Sequence, residues 1–262
     1  MRSPSAQGPL RLVRLVLLPL LALMAGGCCA VCERPSPADS ALAERVRQRI
    51  QRAGIPGVKQ VQTSAKDGLV TLGGIVESPI ALQRAVVLAS MERDVRDLSY
   101  LGVRFDPPDV PDEEIVRRMK RAAAGVLGPD LAGELGYYCE DHFGVVYGTL
   151  PSAALRDRLD EAIRQVEGIG PYFIAVDVQL ENPPPDDVVQ RAVERELHSF
   201  FNPRRLLLIG SHIQVECKDN VVTLSGTVKS YLARMVAEQQ ARQVPGVRYV
   251  INRLRVEAPR AE

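Results

Sequence analysis

The sequence predicts an α+β fold made of three tandem α-β-β-α-β units, each a small three-stranded mixed sheet with two helices packed on one face. Three observations predict it. First, a ten-residue phrase occurs three times: DGLVTLGGIV from Asp67, DHFGVVYGTL from Asp141 and DNVVTLSGTV from Asp219. Second, the copies align without gaps on Gly74, Gly148 and Gly226, at intervals of 74 and 78 residues. Self-similarity at a fixed period marks one supersecondary unit used repeatedly. Third, each phrase lies between stretches whose apolar period is helical.

The elements are clearest in the last unit, residues 185–257. Pro183 to Pro185 break the chain, and Asp186 or Asp187 is placed to cap a helix. That helix carries Val189, Val193, Leu197 and Phe200 at a spacing of three to four. Ile213, Val215 and Cys217 alternate with polar residues and read as a strand. Lys218-Asp219-Asn220 turns the chain into a returning strand, Val221 to Val228. Ser230 stands at an N-cap, and the helix behind it turns Leu232, Val236 and Ala237 inward. It ends near Pro245-Gly246, and a last strand runs from Val247 to Val256.

The first unit, residues 39–106, repeats the order. Leu42, Val46 and Ile50 form the apolar stripe of its opening helix, and Val61, Thr63 and Ala65 match Ile213, Val215 and Cys217. Ser78 is the equivalent of Ser230, with Pro79 at the favoured first helical position. The second unit, residues 109–181, is the most divergent. It keeps Gly148 and Ser152 but has Val146-Tyr147 where the others have Thr-Leu. Cys139 and Cys217 share one repeat position with Ala65, so they read as small inward-facing core residues rather than a disulfide pair. A glycine held inside a strand three times costs stability. It predicts a bulge or the close passage of another backbone, expected to be the following helix.

Residues 1–28 read as an export segment. Arg2, Arg11 and Arg14 precede an uncharged apolar run, Leu15 to Ala25, which is short for a membrane-crossing helix. Gly26-Gly27-Cys28 resembles a lipoprotein lipobox with Cys28 as the lipidated residue, and Cys29 behind it resembles an outer-membrane address. The expectation is an exported chain held by acyl groups at the periplasmic face of the outer membrane. The alternative is a soluble periplasmic product. Residues 29–38 form a tether whose Cys29 and Cys32 lack the strand–helix setting of a redox motif.

The phrase [DN]-[GN]-x-V-T-L-x-G-x-V, followed by Ser, a helix and Gly246-Val247-Arg248-Tyr249-Val250-Ile251-Asn252-Arg253-Leu254-Arg255-Val256, resembles the BON domain. The resemblance covers residues 39–257. In the first unit Tyr100 replaces the Asn of the closing phrase and Gly102 its Leu, and the second unit matches in spacing. It implies kinship with osmotically induced periplasmic proteins and outer-membrane lipoproteins, and a role in phospholipid binding and envelope integrity. It implies no catalytic residue and no cofactor.

Composition narrows the site. Residues 39–106 carry a net charge of +2, residues 107–181 of −7 and residues 182–262 of +3, so the outer units suit an anionic surface better than the middle one. Arg45, Arg49 and Arg52 lie opposite the stripe of the first helix. Tyr249, Arg253 and Arg255 share the outer face of the last strand with Ile251. These six are the candidate membrane-contacting residues, with an anionic phospholipid surface as partner and envelope proteins as a second partner class. A periplasmic scaffold or holdase is the alternative role. The export segment and near-zero net charge count against nucleic acid.

Enzyme chemistry has little support. His142, His198 and His212 have no metal-ligand spacing, and no Gly-rich phosphate loop occurs. Cys139 and His142 are close in sequence and keep a cysteine-dependent enzyme as a lesser alternative. Cys139 is read as inward, however, and a nucleophilic thiol needs an exposed, electropositive setting.

Overall fold

A computed structural model describes residues 36–199, 208 and 210–257. The export segment with Cys28, most of the tether with Cys29 and Cys32, and Phe200 lie outside the described residues.

The fold is mixed α+β, with three small mixed sheets. The first is formed by β1 (Val58–Lys66), β2 (Leu69–Val76) and β3 (Asp97–Phe105), with helices α1 (Pro37–Ala53) and α2 (Pro79–Ser90). β1 pairs antiparallel and β3 parallel with the central β2. The second comprises β4 (Gly136–Glu140), β5 (Phe143–Leu150) and β6 (Tyr172–Val178), with α3 (Asp112–Leu127), α4 (Pro129–Glu134) and α5 (Ala153–Arg164). The third has β7 (His212–Lys218), β8 (Val221–Val228), β9 (Tyr249–Asn252) and β10 (Arg255–Val256), with α6 (Asp186–His198) and α7 (Tyr231–Gln243). Its pairing directions repeat those of the others. The short α4 has no counterpart in the sequence reading.

Each sheet buries one face against its helices. Leu42, Val46 and Ile50 of α1 meet Val70 and Leu72 of β2 and Ala85 and Ala89 of α2 in the first core. Val189, Val193 and Leu197 of α6 do the same with Val222, Leu224 and Val228. In α7 the buried stripe runs through Ala233, Val236, Ala237 and Ala241, with Leu232 only half-buried. Ser78, Ser152 and Ser230 are N-caps as the sequence predicts, accepting the N–H of Ala81, Leu155 and Ala233 at 3.4, 3.3 and 3.1 Å.

The repeated glycine is explained by its neighbour strand rather than by the following helix. Gly74 and Gly226 have φ of 117° and 108°, and an added Cβ would overlap the carbonyl oxygens of Gln60 and His212. A register shift between Val58 and Gln60 places a bulge beside Gly74. Bulge and close backbone approach coincide at Gly74, while β7 and β8 pair without a shift at Gly226, and at both glycines the approaching backbone is the hairpin partner. At Gly148 the nearest atom is a side chain, Leu135 Cδ2 at 2.8 Å.

The closing strand departs from expectation in two ways. In the third sheet it splits into β9 and β10. The Leu254 N–H turns to the Asn252 side-chain oxygen at 3.1 Å, while the Asn252 amide donates to the Arg234 carbonyl and to Glu238 at 3.1 and 3.0 Å. A side chain competes with the ladder there. In the first sheet, which lacks that Asn, β3 contains an extra residue. Thr71 pairs with Ser99, but Gly73 pairs with Gly102 and Gly74 with Val103. Val103 rather than Gly102 thus occupies the place of Leu254 and packs on the core, while Leu101 at the bulge is 94% exposed.

Candidate lipid-contact surface

The six candidate residues fall into two groups with different electrostatics. On α1, Arg45 pairs with Glu92 and Asp94, and the Arg49 guanidinium donates to Glu92 at 2.6 Å. Arg52 donates to Gln48 at 3.0 Å, and the adjacent Arg47 is held by Glu44. The loop after α2 folds back with its carboxylates against α1. The helix face read from the sequence as a free basic stripe is therefore largely neutralised.

The third sheet is different. Its helix-free face is set by the register of β7, β8 and β9. Lys218 lies opposite Val221 and Val221 opposite Tyr249, while Glu216, Thr223 and Ile251 form the next row. Thr227 connects His212 to Arg255 in the same way. Tyr249 is 54% and Ile251 37% exposed, and Arg253 and Arg255 are exposed beside them. Among the described residues neither arginine has an ion pair. Among the described residues, acid on this face is limited to Glu216 and to Glu257, whose carboxylate is engaged by Lys229 and Thr227. The Lys229 ammonium holds the Glu257 carboxyl below its ordinary range. Lys218 was not singled out from sequence. It is brought to Tyr249 only by pairing across β8, though its position in the alternation of β7 could have shown the face.

The turn that carries Cys139 and His142 is a scaffold. Both central residues of each hairpin turn have positive φ: Asp67 and Gly68, Asp141 and His142, Asp219 and Asn220. That is a type I′ geometry, which Asp, Asn and Gly tolerate best. Asp112 accepts the N–H groups of Asp141 and His142 at 2.9 and 3.0 Å, and Cys139 Sγ donates to the same carboxylate at 3.4 Å. Asp186 does the same for Asp219, Asn220 and Cys217. Asp186 is thus spent on the turn and is not the helix cap expected from sequence. Pro185 takes the cap position without a side-chain hydrogen bond.

Burial, together with this hydrogen bond, pushes the Cys139 thiol up to about 12 and the Cys217 thiol up to about 11. His142 Nδ1 lies 2.8 Å from the Gly168 carbonyl, directed to a different neighbour from the thiol. The two cysteines are free and half-buried, as their shared repeat position indicates. Among the described residues, no group of His, Cys, Asp and Glu could hold a metal ion, and no helix is long and apolar enough to cross a membrane.

Comparison with known proteins agrees with the repeat. The BON domain model matches residues 38–99 and 186–258, together just over half of the chain. Those stretches correspond to the first and third sheets, and the divergent middle one is not matched. No curated protein matches. Among solved structures, CdsD, a structural protein of the Type III secretion system of Chlamydia trachomatis, is 15% identical with a TM-score of 0.23, covering 82% of this chain and 94% of that one. A structure of the CdsD C-terminal domain gives 15% identity and a TM-score of 0.22, with coverage of 82% and 96%. At these scores the likeness assigns neither a fold nor a role. BON proteins are typically periplasmic or envelope-associated and generally non-catalytic. With its matched repeats, this chain belongs to the BON domain family.

Proposed function

We propose that this protein is a non-enzymatic envelope lipoprotein, divided into units at 39–106, 109–181 and 185–257, that contacts anionic phospholipid head groups and supports envelope integrity. The observation that carries the reading is the helix-free face of the third sheet, where Arg253 and Arg255 have no ion pair among the described residues and lie beside exposed Tyr249 and Ile251. Guanidinium groups bind phosphate in a bidentate way, and each basic residue near an anionic leaflet adds about 1 kcal/mol. An aromatic ring with a polar tip suits the interfacial layer. Acylation of Cys28 would hold the chain at the bilayer, so that weak contacts act at high local concentration. The ion-paired arginines of α1 are left with a smaller part.

The test is sedimentation of protein lacking residues 1–28 with vesicles. Binding to phosphatidylglycerol that weakens with salt, and absence of binding to phosphatidylcholine alone, is the expected result. Equal sedimentation with and without phosphatidylglycerol would remove the reading. Mass spectrometry of the mature N-terminus tests the anchor separately, the expected species being acylated Cys28.

A further inference from the structure

The second sheet also leaves one face open, and it is unlike the other two. Register places Tyr138 opposite Val145 and Val145 opposite Phe173, then Tyr147 between Gly136 and Ala175, with Phe143 opposite Glu140. Tyr138, Phe143, Tyr147 and Phe173 are 43 to 60% exposed. The chain has only five Phe and seven Tyr, so four on one sheet face are a cluster and not scattered surface apolar residues. The Tyr147 ring lies over Gly136, where any Cβ would collide with it, so the glycine lets the ring lie flat on the sheet.

The charge of this face has one sign. Strands β4, β5 and β6 contain Glu140 and Asp177 and no Lys or Arg. The Tyr138 hydroxyl donates to Glu140 at 2.6 Å and holds that carboxylate beside the rings. Residues 107–181 as a whole carry −7. The equivalent outer strands elsewhere present Gln62, Ser64 and Lys66, or Gln214, Glu216 and Lys218. An anionic bilayer is repelled here, and two copies of the same face would bring like charges together. Ring faces and carboxylates both attract cations, and the rings also offer apolar area.

We propose that the open face of β4, β5 and β6 docks a cationic, apolar polypeptide segment of another protein. Its Arg or Lys heads sit over Tyr147 and Phe173 and pair with Glu140 and Asp177, while its apolar side chains cover Tyr138, Phe143 and Val145. This does not rest on the lipid reading. The two surfaces lie on different sheets.

The test uses the full chain, purified as the cell processes it, in non-ionic detergent without vesicles. The probe is a fluorescent peptide of alternating Arg and Val, with a peptide of alternating Glu and Val as control. The Arg peptide is expected to bind, more weakly as salt rises. Binding falls roughly tenfold or more in Phe173→Ser with Tyr147→Ser, and in Glu140→Lys with Asp177→Lys, and is unchanged in Arg253→Glu. Thermal melting monitors the fold of each variant, and the charge-reversed pair decides if the aromatic pair does not fold. Equal binding of the Glu peptide, or full binding by the variants, would overturn the proposal. So would self-association of the chain that the same variants abolish, because it would assign the face to a second copy.

Discussion

Asp186 and Asn220 stand 34 residues apart in sequence, and the Asp186 carboxylate accepts the Asn220 N–H at 2.8 Å. Its second oxygen accepts the Asp219 N–H at 2.9 Å. One side chain thus fastens the first turn of α6 to the β7–β8 hairpin. Asp112 makes the same pair of bonds to Asp141 and His142, whereas Asp39 of the first helix is bonded chiefly to the Ser36 hydroxyl. Replacing Asp186 by Asn leaves one acceptor oxygen for two donors and removes the charge. The melting temperature of D186N is expected to fall by a few degrees, with D112N similar.

The same clamp makes stability acid-sensitive. The hydrogen bonds hold the carboxyls of Asp112 and Asp186 below the ordinary carboxylate range, led by the His142 and Asn220 N–H groups. Asp39 is lowered too, first by its Ser36 hydroxyl and then by the turn. A carboxyl with a depressed folded value stabilises the fold fully above its unfolded value of about 3.9, and the contribution is lost as pH falls through the folded value. Denaturant titrations are expected to show constant stability from about pH 7 to 5 and a decline below about pH 4, shallower in D186N than in the parent.

The glycines separate backbone from side-chain crowding. At Gly74 and Gly226 an alanine meets a partner-strand carbonyl as well as a positive φ, so G74A and G226A are each expected to cost about 3 kcal/mol. At Gly148 the obstacle is a flexible Leu135 methyl group, and G148A is expected to cost less. Chemical denaturation of the three variants orders them.

The bulge in β3 gives a paired prediction. Val103 packs on the first core and Leu101 projects into solvent. V103A is expected to destabilise by about 1 kcal/mol and L101A by less than about 0.5 kcal/mol. Equal effects would mean that the register shift is misplaced.

Much of this fold was legible because its signals are local. The hairpin turns, the Ser78, Ser152 and Ser230 caps and the stripe Leu42, Val46, Ile50 each depend on a few neighbouring residues. What was missed depends on pairing between distant segments. Arg45 and Arg49 look free along α1 but meet Glu92 from the far end of α2. Asp186 looks like a cap but meets a turn beyond the next strand. The shift from Gly102 to Val103 follows from one extra residue that an ungapped alignment conceals. The aromatic face of the second sheet was written in the alternation of Tyr138, Phe143, Tyr147 and Phe173. Only the pairing of β4, β5 and β6 brings those four side chains onto one face.

The cysteines test the scaffold reading against the enzymatic one. With thiols pushed up by burial and a neighbouring carboxylate, Cys139 and Cys217 are expected to resist alkylation at about pH 8 in the folded chain and to react once it unfolds. Peptide mass mapping distinguishes them from the N-terminal cysteines. Fast labelling of Cys139 in the native chain would count for a nucleophilic role.

The most direct measurement compares two charge-reversed pairs in one sedimentation assay with phosphatidylglycerol vesicles. Arg253→Glu with Arg255→Glu alters the unpaired arginines of the third sheet, and Arg45→Glu with Arg49→Glu alters the ion-paired ones of α1. The expected result is loss of most binding, roughly tenfold or more, in the first pair and near-parental binding in the second. Parental binding by the first pair, with loss in the second, would contradict the assignment of the lipid surface to the third sheet.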